Sequence, residues 1–270
     1  MEPMLRKLEY RLFALFFLSG LLLPLGLLAV LSLGRRWTFP EVFPRQWTTA
    51  HWTSLLGGSS GLRDGLLLSL GISLVVAGTA TGFGVWAARQ VARSRRRGLA
   101  LWAAYAPYVL SPVIYAVLLQ VFFLRLGLSG QVVGVMLGQL LLTFPFAVIF
   151  FQSFWGRQVL DYEQAARTLG ASGRQIARRI LLPLARPMLV LCFFQCFLIS
   201  WFEFGLTNLI GLGQVKTLPI RVFQYVQEAN VHFAALASLL LIGPPLVLLL
   251  LNRRFLRSGL LAVQAREEQI

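Results

Sequence analysis

The sequence predicts an all-α integral membrane protein with six transmembrane helices. The chain is 57% hydrophobic and only 13% charged, which is about half the charged fraction of a typical soluble domain. Several apolar runs reach the roughly 20 residues that a helix needs to cross a bilayer. Alternating ten-residue strands, the pattern of an outer-membrane barrel, are absent from the sequence, so helices are the spanning elements that remain.

The six predicted spans lie in one transmembrane domain that covers residues 1–270. They are Leu12–Leu33, Leu66–Ala88, Leu99–Leu124, Val132–Phe154, Met188–Leu212 and Phe233–Leu251. The first span is too long for the apolar core of a signal peptide, and no small-residue cleavage site follows it. We therefore expect the first span to be retained in the membrane.

The basic residues are distributed unevenly along the chain, which has 25 Lys and Arg against 10 Asp and Glu. With six spans, most of them fall on the side shared by both termini and by the loops after the second and fourth spans. The positive-inside rule therefore places both termini in the cytoplasm. The lipid bilayer is the expected partner of this charge, including anionic lipid at Arg93–Arg97. No motif in the sequence supports binding to nucleic acid.

The sequence offers no candidate for an active site, a cofactor site or a metal site. Cys192 and Cys196 lie one turn apart, and His51 and His232 are distant in sequence, so the ligands are too few for zinc or copper. We expect both cysteines to be small packing residues. The stretch Gly211–Thr217 lacks the glycine that precedes the lysine of a phosphate loop. No nucleophile and base pattern is present, so we expect no enzymatic activity.

A polar segment, Asp161–Pro187, interrupts the apolar pattern between the fourth and fifth spans. Asp161 stands three residues before Gln164, and Ser172 stands three residues before Gln175. Each pair is a capping-box pattern, in which two side chains satisfy backbone N–H groups at the start of a helix. The segment therefore predicts two helix starts on the cytoplasmic side.

The two predicted helices are short and are separated by a tight turn. They cover about Tyr162–Leu169 and Gly173–Leu182, and Gly170 lies where a left-handed residue without Cβ ends a helix. A short helix, a turn and an amphipathic helix on the cytoplasmic side are typical of a docking site for a soluble partner.

The spacing of this segment resembles the cytoplasmic signature of the permease subunits of binding-protein-dependent ABC importers. That signature consists of Glu-Ala-Ala, three residues, Gly, nine residues and then Ile-x-Leu-Pro. The positions that match it here are Ala165, Ala166, Gly170, Ile180, Leu182 and Pro183. Gln164 stands in place of the signature glutamate, and Glu163 precedes it. The resemblance covers most of the chain, from roughly Trp47 to Arg254.

The resemblance implies that the segment at about Asp161–Pro183, the coupling segment, forms a cytoplasmic coupling-helix loop. In the family this loop lies in a cleft of a separate ATPase, which supplies the ATP hydrolysis. The expected partners are a cytoplasmic ABC ATPase dimer, a second permease subunit and an extracytoplasmic solute-binding protein, assembled in the cytoplasmic (inner) membrane. Gln164 cannot form a salt bridge to the ATPase, so we expect any such contact to pass to Glu163.

Glu203 is the one carboxylate well inside a predicted span. An acid at this depth faces protein or water. It therefore contacts a cationic or hydroxylated substrate or forms a gate, or else it bonds to a neighbouring span or the partner permease or lies near the outer boundary. Gln195 lies eight residues earlier, about 80° round a helix, where both side chains would border one cavity. Asn208 is a weaker pathway candidate, and all three residues are equally able to join helices through hydrogen bonds.

The substrate class follows from resemblance alone. The segment Ser200–Gly205, followed by Thr217-Leu-Pro, is similar to permeases of the polyamine type, with thiamine and ferric-iron systems next. The alternative function is a secondary transporter or channel that works without an ATPase. That alternative predicts inverted repeats and several ion ligands at the membrane midplane, and the sequence contains neither pattern.

Overall fold

The computed structural model describes residues 2–35, 44, 46–57, 61–110 and 112–267. Within these residues it contains helices and turns but no strand, and one antiparallel bridge joins Gly34 and Trp47. The helices are α1 Glu2–Leu33, α2 Ala50–Gly57, α3 Leu62–Arg93, α4 Arg97–Val109, α5 Pro112–Arg125, α6 Val132–Gln152, α7 Arg157–Thr168, α8 Gly173–Ile176, α9 Leu182–Trp201, α10 Gly205–Gly211, α11 Leu218–Gln227 and α12 Val231–Glu267.

Five helical stretches of the described chain are long and apolar enough to cross a membrane. They are Leu12–Leu33, Leu62–Arg93, Val132–Gln152, Gly173–Trp201 and Val231–Leu250. The bent pair α4 and α5 makes a sixth span if the two helices are taken together. The all-α integral membrane class is therefore confirmed, and the third and fifth spans differ from their predicted form.

The third span is not the continuous helix Leu99–Leu124 that the sequence predicted. The helix α4 ends at Val109, Leu110 is extended with φ −81° and ψ 146°, and the chain bends by 99° before the next helix. Pro112 lacks a backbone N–H, so a helix that ran through this point would lose one hydrogen bond of its ladder. Proline therefore breaks this span into two helices.

The fifth predicted span, Met188–Leu212, is not one continuous helix. Its helical stretch begins at Gly173, because α8 and a π-helical turn at Ala177–Leu181 lead directly into α9. It ends at Trp201, and the residues to Leu212 include a separate short helix, α10. The break between α9 and α10 places Glu203 outside regular helix.

The chain divides into two compact units, and the first contains residues 1–66 and 218–243. In this unit the carbonyl groups at the end of α1 find side-chain partners. Nδ1 of His232 lies 2.9 Å from the Leu31 carbonyl oxygen, and Nε2 of His51 lies 3.1 Å from that of Gly34. The two imidazole rings stack at 5.3 Å. These contacts satisfy acceptors that a helix end leaves free.

The second unit contains residues 67–217 and 244–270 and holds the coupling segment. Its apolar core joins α3, α5, α6 and α10, with Ile72, Val76, Ala116, Phe123, Val135, Leu206, Ile210 and Val215 buried together. Small residues allow close packing here, since a Cβ added at Gly84 of α3 would lie 2.5 Å from Cβ of Ala147 in α6. The unit is therefore a tightly packed helical bundle.

Candidate functional site

The coupling segment contains a helix, a left-handed turn and a capped second helix. Gly170 has φ 80°, and the N–H of Ala171 donates to the Ala166 carbonyl at 3.0 Å, which closes the end of α7. Ser172 then caps α8: its N–H donates to Oε1 of Gln175 at 2.8 Å, and the Gln175 N–H donates to its Oγ at 3.4 Å. The predicted turn and the predicted second capping box are confirmed.

The predicted first capping box, at Asp161, is wrong. The helix α7 begins at Arg157, and its N-cap is Gly156, which has no side-chain cap. Val159 is buried, so packing against the rest of the unit extends the helix by a turn beyond the local cap signal. Asp161 therefore lies inside the helix rather than at its start.

The helix α7 has two different faces. Glu163 and Ala166 are buried, whereas Gln164 and Ala165 are exposed. At its end Leu169 is 87% exposed, beside the turn glycine. This apolar side chain is therefore accessible to a partner at the end of α7. Sequence reasoning missed Leu169, because its apolar character predicted burial.

The second half of the coupling segment is part of the fifth span. Ile180 lies in the π-helical turn, and Leu182 and Pro183 begin α9. Ile176 and Leu181 are buried, so this helix is anchored in the unit before it enters the predicted membrane region. Pro183 and Pro187 follow this turn and have no backbone N–H to donate. The α-helical hydrogen-bond ladder is therefore incomplete here, which is consistent with a π-helical turn.

Glu163 is a buried carboxylate surrounded by three arginines. Its side chain is 1% exposed. Nη2 of Arg93 lies 2.5 Å from its Oε2, and Nη2 of Arg167 lies 3.0 Å from its Oε1. Arg89 donates to the same Oε1. Burial by itself raises the pKa of Glu163, but the three guanidinium groups beside it outweigh this effect and lower the pKa below its usual value.

The carboxylate of Glu163 faces three arginines of its own chain. That it takes over from Gln164 any salt bridge to an ATPase stays a prediction. Arg89 and Arg93 come from the end of α3, and Arg167 follows on α7. The only sequence signal for this cluster was the spacing of Glu163 and Arg167, four residues apart on one helix.

Further contacts hold the end of α3 beside the start of the coupling segment. Arg89 lies over the ring of Trp155 at 5.6 Å, within the range of a cation–π contact. The indole N–H of Trp155 donates to the Val85 carbonyl at 3.0 Å, and Nε2 of Gln152 donates to the Ala88 carbonyl at 3.1 Å. Hydrogen bonds from Trp155 and Gln152 to the α3 backbone therefore support the helix end that carries Arg89 and Arg93.

Glu203 caps the short helix α10. Its Oε1 accepts from the Leu206 N–H at 2.7 Å, and its Oε2 accepts from the N–H and the hydroxyl of Thr207 at 2.8 and 2.7 Å. The Thr207 hydroxyl also accepts from Nε2 of Gln139 at 2.9 Å, and Oε1 of Gln139 accepts from Ser200. Both carboxylate oxygens therefore have partners within the chain.

Gln195 and Asn208 are exposed on the surface of the described unit. The helical-wheel argument that placed Gln195 and Glu203 on one cavity does not apply, because α9 ends at Trp201 and Glu203 lies beyond it. Because Gln195 and Asn208 are both exposed, both remain accessible to a solute.

Cys192 and Cys196 are buried free thiols with their sulfur atoms 4.0 Å apart. In the residues that the structure describes, no three His, Cys, Asp or Glu side chains are grouped so that they could hold a metal ion.

Comparison with known proteins identifies the family. Residues 80–258 match the family described as the inner membrane component of binding-protein-dependent transport systems. The chain is 26% identical over 229 residues to the inner membrane ABC transporter permease protein YcjP of Escherichia coli K12, covering 83% of this chain and 82% of that protein.

Two further relatives carry solute names. Identity is 28% over 244 residues to the putative 2-aminoethylphosphonate transport system permease protein PhnV of Salmonella typhimurium, covering 88% of this chain and 89% of PhnV. It is 28% over 197 residues to the spermidine/putrescine transport system permease protein PotC of Escherichia coli K12, covering 72% and 75%. Because the family match spans more than half of its residues, the chain belongs to the inner-membrane permease components of binding-protein-dependent ABC transport systems.

Proposed function

We propose that this chain forms part of a solute pathway across the cytoplasmic membrane and couples it to ATP hydrolysis by a separate ABC ATPase dimer. A second permease subunit and an extracytoplasmic binding protein complete the proposed importer. Both termini are assigned to the cytoplasm, on the positive-inside rule. The whole chain acts as one permease domain in this proposal.

The coupling segment carries the proposal. It presents an exposed apolar tip, Leu169, beside a glycine in the left-handed region and a capped helix that continues into the fifth span. A side chain of this kind contributes most binding free energy when it is buried in a closed pocket on a partner. If the partner displaces this tip, the displacement is transmitted through the helical stretch Gly173–Trp201 to the fifth span.

The proposed solute is a small molecule with an amino group, and polyamines are the favoured class. PotC carries spermidine and putrescine in its name, and PhnV carries 2-aminoethylphosphonate; an amine is common to these compounds. Thiamine and ferric iron remain the next candidates. Both oxygens of Glu203 are engaged by the cap of α10, so we propose that this residue shapes the pathway by holding α10 in place.

Affinity purification of the tagged chain from its own membranes tests the assignment of an ATPase partner. Leu169→Asp places a charge at the tip, and Val226→Asp is the matched control, because Val226 is 61% exposed on α11 and lies outside the coupling segment. We expect an ABC ATPase with the native chain and with Val226→Asp, and at least about a tenfold loss with Leu169→Asp. Absence of an ATPase from the native complex would overturn the proposal.

Uptake by the reconstituted importer tests the solute class. Proteoliposomes that contain the co-purified complex and its binding protein are supplied with labelled putrescine, 2-aminoethylphosphonate, thiamine or ferric iron. ATP-dependent accumulation of putrescine is expected. Accumulation of thiamine or iron with no accumulation of either amine would contradict the favoured class.

A further inference from the structure

The coupling segment is joined to the membrane region by two different links. The first is covalent, because α8, the π-helical turn and α9 form one helical stretch, Gly173–Trp201. The second is ionic, because Glu163 on α7 binds Arg89 and Arg93 at the end of α3. A displacement of α7 therefore reaches the fifth span through the backbone, whereas its ion pairs with the second span run through the carboxylate of Glu163. The contacts of Trp155 and Gln152 with α3 lie beside this ionic link.

We propose that Glu163 is a positioning residue that makes the second span follow the coupling segment during transport. The inference rests on the proposed function, since it assumes that an ATPase moves this segment. Glu163 acts through α3 and touches neither ATP nor solute. It is separate from the docking surface, because Glu163 is buried while Gln164 and Leu169 are exposed.

Charge explains why this link depends on a carboxylate. One negative group faces three guanidinium groups, so the cluster keeps an excess of two positive charges while Glu163 is ionised. Without that carboxylate, Arg89, Arg93 and Arg167 would stand together as like charges, which repel one another and separate α7 from α3. A glutamine of the same shape accepts hydrogen bonds through one oxygen instead of two, and it cannot balance the charge.

The second span is well placed to change a pathway when it moves. Around Gly78, Gly82, Phe83 and Trp86, the surface of α3 borders open grooves, and side chains of α6 line one of them. A Cβ added at Gly78 or Gly82 would have no neighbouring atoms within 4 Å. A shift of α3 would alter the width of these grooves.

The matched variants separate coupling from folding. Glu163→Gln removes the charge, Glu163→Asp keeps it on a shorter side chain, and Glu228→Gln neutralises an exposed carboxylate elsewhere as a control. The double variant Glu163→Gln with Arg93→Gln has less like-charge repulsion. It replaces the single variant in the assay if Glu163→Gln alone accumulates poorly. All are purified as the complete complex with its ATPase and reconstituted with the binding protein.

The first readout is the amount of solute imported for each ATP hydrolysed. Glu163→Gln and the double variant are expected to retain the ATPase and its hydrolysis but to lower this ratio by about tenfold. Glu163→Asp and Glu228→Gln are expected to stay within about twofold of the native complex. An unchanged ratio in both Glu163→Gln variants would overturn the inference and leave the proposed function intact.

The second readout is the distance between spin labels at Gln90 on α3 and Asp161 on α7, both exposed positions. Cys192 and Cys196 are replaced by alanine for this measurement. In the native cluster the distance distribution should stay narrow with and without trapped nucleotide, and in Glu163→Gln it should broaden when nucleotide is trapped. If the native complex and Glu163→Gln gave equal distance distributions with nucleotide trapped, the inference would be overturned. If the native complex contained no ATPase, both the inference and the proposed function would be overturned.

Discussion

Two carboxylates in this protein, Glu163 and Glu203, are held by opposite means. Glu163 is bound by three guanidinium groups at the end of α3 and on α7, whereas Glu203 is bound by backbone N–H groups and a threonine hydroxyl at the start of α10. The partners of Glu163 are therefore charged, whereas those that hold Glu203 at α10 are neutral.

The same contrast separates what the two residues do for the fold. The Glu163 cluster joins residues far apart in sequence, from α3 and α7. The Glu203 cap is local, within four residues, and is linked to other helices through the neutral chain of Thr207, Gln139 and Ser200. Removing the first should disturb packing between elements, and removing the second should disturb mainly one helix end.

Loss of the carboxylate at Glu163 should have the largest effect on stability. Glu163→Ala leaves three arginines without their counter-charge, and we expect a loss of about 2–4 kcal/mol after allowing for the partial exposure of the arginines. Thermal unfolding of the protein in mild detergent measures this loss. A change no greater than that of Glu228→Ala, an exposed control, would contradict the account of the cluster.

Glu203→Ala should have a smaller effect, of about 1–2 kcal/mol, because α10 loses an N-terminal cap and two buried N–H groups lose their acceptor. Glu203→Gln should recover roughly half of that loss, since one oxygen can still accept. Glu163→Gln should recover little, because its partners require charge. The same unfolding assay applied to both glutamine variants checks whether the two sites differ in this way.

The turn glycine provides a third, weaker test. Gly170→Ala forces a side chain into φ 80°, with an expected cost of about 1 kcal/mol. Gly173→Ala is the matched control, because neither position has other atoms within 4 Å of an added Cβ and only Gly170 has positive φ. Unfolding temperatures should fall for Gly170→Ala and stay level for Gly173→Ala. Equal shifts would show that backbone conformation is not the cause.

The smallest expected effect is the dependence on pH. The pKa of Glu163 is lower in the folded protein, so its stabilising contribution is complete above the unfolded value of about 4.3 and is lost as the pH falls through the folded value. The difference in unfolding temperature between native chain and Glu163→Gln should be constant from about pH 8 to 5 and shrink below about pH 4. A difference that changed near neutral pH would contradict this assignment.

Periodicity and composition predicted most of the helices but not where they break. Apolar length predicted the first, second, fourth and sixth spans closely, because a bilayer imposes that length on any helix. The breaks at Pro112 and after Trp201 depend on backbone donors and on the Glu203 cap, which apolar averages do not record. Ser172 and Gly170 were predictable because their roles are local, fixed by residues next to them in sequence.

The internal bonding of Glu163 was not predictable, because it requires knowing that the end of α3 lies beside α7. The sequence showed a basic stretch at Arg89–Arg97 and a nearby acid in another loop, with nothing to join them. Leu169 was missed for the opposite reason: residue type predicts burial, and its 87% exposure follows from its place at the end of α7.

Photo-crosslinking from position 169 in native membranes tests the central claim, that the coupling segment engages a separate ATPase. A benzophenone amino acid replaces Leu169 at the exposed tip, and the same group at Gln90 on α3 is the control. The account predicts a covalent adduct between this chain and an ABC ATPase from position 169, and far less from position 90. An adduct with some other protein, or no adduct from position 169 while the importer is active, would contradict it.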